Sequence, residues 1–424
     1  MTGQRRYFGT DGVRGVVGED LTPDLVERLG RAVTLWRDGA AVLIGRDTRA
    51  SGPDLMRAFA SGVASAGGHA VLAGVLPTPA VALLALDLAA VVSASHNPPE
   101  YNGVKLFDRG GRKLTDAEEV EIEALLGAPP RNPDAGRIDN LDVAIDSYLD
   151  HVLERFGSDL SGLRIAVDCA NGAYSTVAPA AFRRLGAAVT PVGVAPDGRN
   201  INVGCGATDL ALLRRTVLAG DLDLGIAFDG DGDRMLAVDE RGELVDGDQI
   251  LAVLALDLGV DLVVVTTMTN LGFHKVMADR GIRVVTTDVG DRYVLEALRR
   301  EGGTLGGEQS GHVIYLQGHV TGDGLVAALL LCRALKGSPL SEAVAVMPRF
   351  PQAKENVPVR TKELPATLRA EVERNNGELS GRGRVLVRPS GTEPLVRVLA
   401  EAPTDEEAAA LCATIAALVA RELG

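Results

Sequence analysis

One pattern recurs three times along this 424-residue chain and constrains its fold more than any other feature: an apolar strand, a polar turn, an amphipathic helix, then glycine and a second apolar strand. It runs first through residues 41–45, 46–51, a helix near 53–66 and 70–73. It returns through 164–169, 170–175, a helix to 185 and 187–192, and again through 262–267, 268–272, a helix to 280 and 282–286. Each is a βαβ-like unit. The units lie about a hundred residues apart, more than successive units of one sheet need. Three related α/β domains are therefore expected rather than one large sheet, and 424 residues exceed what one core usually holds.

Composition shifts mark the joints. Residues 127–133, Gly-Ala-Pro-Pro-Arg-Asn-Pro, lead into a helix near 141–156 that bridges the first two domains, and a proline-rich break begins near 347. Beyond it the pattern changes. Residues 356–360 read as a strand, 363–375 as a helix, 384–388 and 395–400 as a hairpin, and 404–423 as a terminal helix with Asp405, Glu406 and Glu407 in its first turn. This is a small, separate α+β domain. The expected division is 1–150, 151–246, 247–350 and 351–424.

With 57 acidic against 43 basic side chains the formal charge is −14, which repels nucleic acid and anionic membranes. No apolar run reaches the ~20 residues that span a bilayer, and Arg5-Arg6-Tyr-Phe-Gly-Thr-Asp-Gly lacks the apolar core of a signal peptide. The expected compartment is the cytoplasm. Cys169, Cys205, Cys332 and Cys412 have no paired metal spacing and are expected to be buried free thiols.

Two polar clusters carry chemistry. Val-Ser-Ala-Ser-His-Asn-Pro-Pro at 92–99 follows the apolar run 88–92, placing Ser95 in a turn at a strand's end, where a chain displays a reactive group. An ordinary Ser/Asn/Pro turn is the alternative. Asp-Gly-Asp-Gly-Asp-Arg at 229–234 sets Asp229, Asp231 and Asp233 at alternate positions between glycines, so their oxygens can converge on one hard cation. A calcium loop of the helix–loop–helix kind would place Glu240 at its last position. It also wants glycine where Arg234 stands and a helix where 222–228 reads as a strand.

Further loops offer recognition groups. Arg388-Pro-Ser-Gly-Thr-Glu-Pro, with Ser390, Gly391 and Thr392 between Arg388 and Arg397, has the N–H and O–H donors and bidentate cations that suit a phosphate dianion. Gly307-Glu-Gln-Ser-Gly-His312 offers a carboxylate (Glu308), a hydroxyl (Ser310) and an imidazole (His312), which suits sugar hydroxyls or a plain polar turn. Tyr7-Phe-Gly-Thr-Asp-Gly-Val-Arg-Gly15 puts Arg14 among glycines, within reach of a phosphate, or forms a turn into the first strand. Lys105, just after the Ser95 loop, adds a cation near the nucleophile.

These loops, in this order and from end to end, resemble the α-D-phosphohexomutase superfamily. Such enzymes carry a phosphoserine loop, a metal loop, a sugar loop and a phosphate loop, one per domain, and the four are matched by Ser95, Asp229–Asp233, Glu308–His312 and Arg388–Thr392. Residues 8–15 with 307–312 are most similar to the branch acting on glucosamine phosphates. Relatives acting on mannose or glucose phosphates typically carry Met where this chain has Gln309.

The resemblance implies four domains around a central cleft, three with mixed α/β cores and a fourth of the TATA-binding-protein-like α+β kind. It implies interconversion of glucosamine 6-phosphate and glucosamine 1-phosphate, which feeds UDP-N-acetylglucosamine and bacterial cell-wall precursors. Phosphorylated Ser95 would donate its phosphoryl group, giving a 1,6-bisphosphate that turns around, and hexosamine or hexose 1,6-bisphosphate would act as activator. Mg2+ would be held by Asp229, Asp231, Asp233 and a Ser95 phosphate oxygen, a set that Mn2+ suits as well. Arg14 and Arg234 would steady transferring oxygens, Lys105 and His96 would be the candidates for general acid and general base with neither role assigned to either, and Glu308, Ser310, His312, Arg388, Ser390, Gly391, Thr392 and Arg397 would bind substrate. A homodimer through the first domain is also implied. The alternatives are a mutase of mannose or glucose phosphates and a metal-dependent sugar phosphatase; a sensor would not need Ser95.

Overall fold

The computed structural model describes residues 6–9, 11–131, 136–390 and 394–424. Gly391 and Thr392 of the expected phosphate loop, Thr10, and part of the 127–133 linker lie outside them. The chain divides into two compact units, Met1–Met268 with Ile282–Ala345, and Thr269–Gly281 with Val346–Gly424.

The first unit holds three sheets. The largest runs Phe8–Gly9, Gly12–Val16, Tyr101–Asp108, Leu88–Val92, Ala41–Arg46, His69–Val75, Arg137–Asn140. Its strand Leu88–Val92 is buried at every position, which is why an unbroken apolar run codes for it. Helix Pro23–Trp36, opened by Thr22 accepting from the Leu25 N–H and by proline in its first turn, packs on helix Gly52–Ser65. The two approach closely because Gly30 and Gly62 face the Phe59 and Glu27 carbonyls, where a Cβ would lie 2.2 and 1.9 Å away.

The second sheet runs Leu244–Val245, Met235–Asp239, Leu224–Phe228, Arg164–Asp168, Ala188–Val192, and the third Arg283–Thr287, Leu262–Thr266, Leu305–Gly307, Val313–Tyr315. The three recurrent units thus nucleate three separate sheets, of seven, five and four strands. Strands at 8–16 and 137–140 enlarge the first.

The second unit contains the sheet Gln352–Pro358, Leu395–Glu401, Arg384–Pro389, covered by helices Ala366–Leu379 and Asp405–Leu423 through a core that includes Leu368, Val385, Val398, Ile415 and Val419. It also contains helix Leu271–Asp279, whose sequence belongs to the third βαβ unit. Asn270 ties that helix to Phe350 through two hydrogen bonds of 2.9 and 3.0 Å. Its first N–H, at Leu271, donates to Glu401, which is fully buried and also takes Arg384 and Gln352.

All four chemical motifs occupy the same structural position, the connection between two antiparallel neighbours. Residues 93–100 join Leu88–Val92 to Tyr101–Asp108, 229–234 join Leu224–Phe228 to Met235–Asp239, 308–312 join Leu305–Gly307 to Val313–Tyr315, and 390–394 join Arg384–Pro389 to Leu395–Glu401. A strand end fixes the root of each loop. No helix among the described residues is long and apolar enough to cross a membrane. The four cysteines are free and buried.

Candidate active site

Ser95 and the aspartate loop meet. Ser95 Oγ donates to Asp229 Oδ2 at 2.5 Å, and His96 Nδ1 lies 3.2 Å from the same hydroxyl. The expectation of a displayed serine is corrected in one respect: Ser95 is 1 % exposed and its backbone is left-handed, φ 53°. That conformation is costly for a residue with a Cβ and persists only where the surroundings impose it.

Arg49 does the imposing. Its guanidinium is fully buried and donates to the carbonyls of Ser95 (2.9 Å), Asn97 (2.8 Å), Tyr101 (2.9 Å) and Pro98, while its Nε binds Asp47 at 2.9 Å. Asp47 also takes the Ser93 hydroxyl at 2.6 Å, and Ser93 Oγ accepts the Ser95 N–H at 2.9 Å. Asn202 adds hydrogen bonds to the Ser95 and Asn97 carbonyls from the second sheet's side. One planar cation with five donors can gather this many carbonyls, whereas an ammonium cannot.

The aspartates are arranged oxygen by oxygen. Asp229 Oδ1 accepts the N–H groups of Gly232 (3.1 Å) and Arg234 (3.2 Å), leaving Oδ2 for Ser95. Asp231 Oδ2 takes Thr78 Oγ1 at 2.6 Å and Lys105 Nζ at 2.8 Å, and Asp233 Oδ2 takes Lys105 at 2.9 Å. Asp231 Oδ1 and Asp233 Oδ1 are buried without a hydrogen-bond partner among the described residues. One ligand atom from each carboxylate lies within 4.8 Å of the others. Burial and the two neighbouring carboxylates push Asp229 up to about 8, the mark of a site short of positive charge. Buried, converging oxygens without donors fit a divalent cation. Glu240, the last position of a calcium loop, instead accepts from the Ser341 N–H at 3.2 Å, and a strand precedes the loop.

A closed circuit of alternating charge surrounds the aspartate loop. Lys105 reaches Asp11 at 3.2 Å as well as Asp231 and Asp233; Asp11 also pairs with Arg14 and Lys113; Lys113 pairs with Asp291; His312 lies 3.4 Å from Asp291 and 3.7 Å from Asp233. Although burial disfavours its charge, Asp11, Asp231 and Asp233 hold the Lys105 pKa well above its ordinary value. Burial, with Arg234 and Arg14 nearby, lowers His96 to about 4. Arg14 Nε and Arg234 Nε are buried without hydrogen-bond partners among the described residues.

The 307–312 loop is less open than its composition implies. Glu308 is buried and accepts the Gly290 N–H at 3.0 Å, Ser310 is exposed, and His312 is buried against Asp233 and Asp291. Gln309 Nε2 reaches Asp246, the cap of helix Gly247–Leu258, at 3.4 Å. In the second unit Arg388 pairs with Arg397 across the hairpin, and the buried Ser390 receives Lys362 Nζ on its carbonyl at 2.9 Å.

Arg49, Asp47, Thr78, Lys113 and Asp291 were not anticipated. The only local signal was the charged run Arg46-Asp-Thr-Arg49 directly after a buried strand; the others are ordinary residues until the fold brings them together.

The chain matches four domain families in succession: phosphoglucomutase/phosphomannomutase alpha/beta/alpha domain I over residues 5–130, domain II over 146–242, domain III over 246–350 and the C-terminal domain over 351–418. It is 48 % identical to phosphoglucosamine mutase of Moorella thermoacetica, covering 95 % of this chain and 96 % of that one, and 45 % identical to phosphoglucosamine mutase of Bacillus subtilis, covering 99 % of each. A crystal structure of a phosphoglucomutase/phosphomannomutase family protein from Burkholderia thailandensis superposes with a TM-score of 0.86 at 26 % identity, covering 98 % of this chain and 97 % of the other. N-acetylphosphoglucosamine mutase of Aspergillus fumigatus, solved with GlcNAc-6P and magnesium, shares the fold with a TM-score of 0.70 at 20 % identity, covering 99 % and 96 %.

Proposed function

Because this chain belongs to the phosphoglucosamine mutase family, within the α-D-phosphohexomutases, we propose that it interconverts glucosamine 6-phosphate and glucosamine 1-phosphate using Ser95 as the phosphoryl carrier. The observation that carries the assignment of Ser95 is its 2.5 Å hydrogen bond to Asp229, which sets a hydroxyl on the rim of three buried carboxylates.

Phosphorylated Ser95 gives its phosphoryl group to the free sugar hydroxyl: the Ser95 Oγ–P bond breaks, a sugar O–P bond forms, and the hydroxyl proton leaves to a base. The resulting 1,6-bisphosphate turns around, and its other phosphoryl group returns to Ser95 by the reverse exchange. A trace of bisphosphate therefore serves as activator, re-phosphorylating serine lost to hydrolysis. Asp229 Oδ2, Asp231 Oδ1 and Asp233 Oδ1 would hold Mg2+, and a divalent cation there neutralises charge on the phosphoryl oxygens.

The remaining work belongs to side chains. Arg14 and Arg234 have spare buried donors for transferring oxygens. Lys105, whose ammonium is hydrogen-bonded to two of the aspartates, and His96, beside Ser95 Oγ, are the two groups placed to pass these protons. Glu308 and Ser310 meet ring hydroxyls, and Arg388, Ser390, Gly391, Thr392 and Arg397 hold the distal phosphate in both orientations. His312, buried against Asp233, steadies that aspartate rather than the sugar. Along the chain the domains follow the division 1–150, 151–246, 247–350 and 351–424, with helix Leu271–Asp279 of the third joining the compact unit of the fourth, and the enzyme acts in the cytoplasm as a homodimer.

A 31P NMR time course with Mg2+, glucosamine 6-phosphate and a trace of hexose 1,6-bisphosphate tests this, with a parallel glucose 6-phosphate sample. A growing sugar 1-phosphate signal, faster from glucosamine, is expected. Inorganic phosphate alone would make the protein a phosphatase, and faster turnover of glucose 6-phosphate would reassign the substrate.

A further inference from the structure

Behind the metal loop lies a buried polar cluster that the reaction does not use. Tyr148, on helix Ala144–Phe156, and Tyr174, in the loop after Arg164–Asp168, are both fully buried, with hydroxyls 2.6 Å apart. Both converge on Asp323, Tyr148 on Oδ2 and Tyr174 on Oδ1, each at 2.8 Å. Asp323 also caps helix Gly324–Leu335, accepting the N–H groups of Leu325 (2.8 Å) and Val326 (3.1 Å), and His319 Nε2 lies 3.0 Å from its other oxygen. Burying two hydroxyls and a carboxylate is costly unless they satisfy one another, as they do here.

The cluster grips the Asp229–Asp233 turn from two sides. The Tyr174 ring lies against Gly232, so close that a Cβ there would be 2.3 Å from its Cε2, and Gly232 has φ +80°. From the other side the Gly324 N–H, first in the helix that Asp323 caps, donates to the Gly232 carbonyl at 3.0 Å. Asp323 is the point where both grips meet. Gly232 lies between Asp231 and Asp233, so its peptide planes set how far apart those carboxylates point.

We propose that Asp323 and Tyr174, braced by Tyr148, are positioning residues that fix the spacing of the Asp229, Asp231 and Asp233 oxygens and thereby set the affinity of this loop for its divalent cation. The proposal rests on those three aspartates being the metal ligands. Groups that orient metal ligands from behind typically contribute about 10- to 100-fold to affinity.

Mn2+ binding to the full-length protein, read from the EPR signal of the free ion, tests it alongside thermal unfolding of the metal-free protein. Asp323→Asn should weaken Mn2+ binding roughly tenfold or more, and Tyr174→Phe, which keeps the ring against Gly232, several-fold. The metal concentration for half-maximal turnover should rise in step while turnover at saturating metal falls less. Wild-type Mn2+ affinity in folded Tyr174→Phe and Asp323→Asn would overturn the proposal, and wild-type affinity in Tyr174→Phe alone would do so if Asp323→Asn does not fold. Asp231→Asn separates the two levels: unchanged Mn2+ binding in that variant overturns the ligand assignment itself, and with it the proposal.

Discussion

Arg388 and Arg397 face each other directly across the antiparallel hairpin of the C-terminal sheet, Arg384–Pro389 against Leu395–Glu401. Opposed residues of such a pair project from the same face, and like charges there repel. A dianion between two guanidiniums converts that repulsion into two charge-assisted contacts. Arg388→Ala or Arg397→Ala should therefore raise the KM for glucosamine 6-phosphate about 10- to 100-fold in protein that remains folded. Steady-state kinetics and thermal unfolding check this; an unchanged KM in both variants removes the hairpin from phosphate binding.

Ser95→Ala should lower turnover at least about a thousandfold even with bisphosphate present, because among the described residues no other hydroxyl is hydrogen-bonded to Asp229. The left-handed backbone tolerates alanine as it does serine, so circular dichroism and Tm should stay close to wild type. Substantial turnover from a folded Ser95→Ala protein would end the phosphoserine mechanism.

Arg49→Met leaves four loop carbonyls and the buried Asp47 without their shared donor. Removing one partner of a buried ion pair costs about 3–5 kcal/mol. That lowers the unfolding midpoint by about 3–6 °C in a chain of 424 residues. Arg49→Lys should recover little, since a single ammonium cannot span the carbonyls. Calorimetry of the three proteins decides it.

His274, on helix Leu271–Asp279, is lowered to about 4 by burial and by Arg384, against an ordinary value of 6.5. The unfolded chain then binds the proton more readily than the folded one between those values, so stability is fully present above about 6.5 and drains as pH falls toward 4. The loss at pH 5 is at most about 2 kcal/mol, since part of the ring meets solvent. Tm measured from pH 7 to 5 should fall less steeply for His274→Gln than for wild type; parallel curves would refute the assignment.

The parts of this architecture that depend on neighbours in the chain could be read from the residues. Strand Leu88–Val92 is one, because burial on both faces leaves an unbroken apolar run, and the aspartate turn is another, because its glycines and carboxylates are contiguous. The seven-stranded sheet could not be read in full, since Phe8–Gly9 and Arg137–Asn140 are too short and polar to show a period. Thr78 meets Asp231 across 153 residues and Lys113 meets Asp291 across 178, and separations of that length leave no local trace. Ser95 looked exposed because turns usually are; Arg49 and Asp229 cover it from elsewhere in the chain.

Helix Leu271–Asp279 carries an order-of-synthesis constraint. A ribosome releases it amid the third sheet's strands, yet Glu401, which receives its leading N–H, follows 130 residues later. At about 10 residues per second that is a delay on the order of ten seconds, during which the segment has no finished home. A nascent chain that stalls or stops short of Glu401 is thus impaired at a site it has already made. The C-terminal unit, stitched from two stretches of message, cannot be cut from the gene at one point and expected to fold.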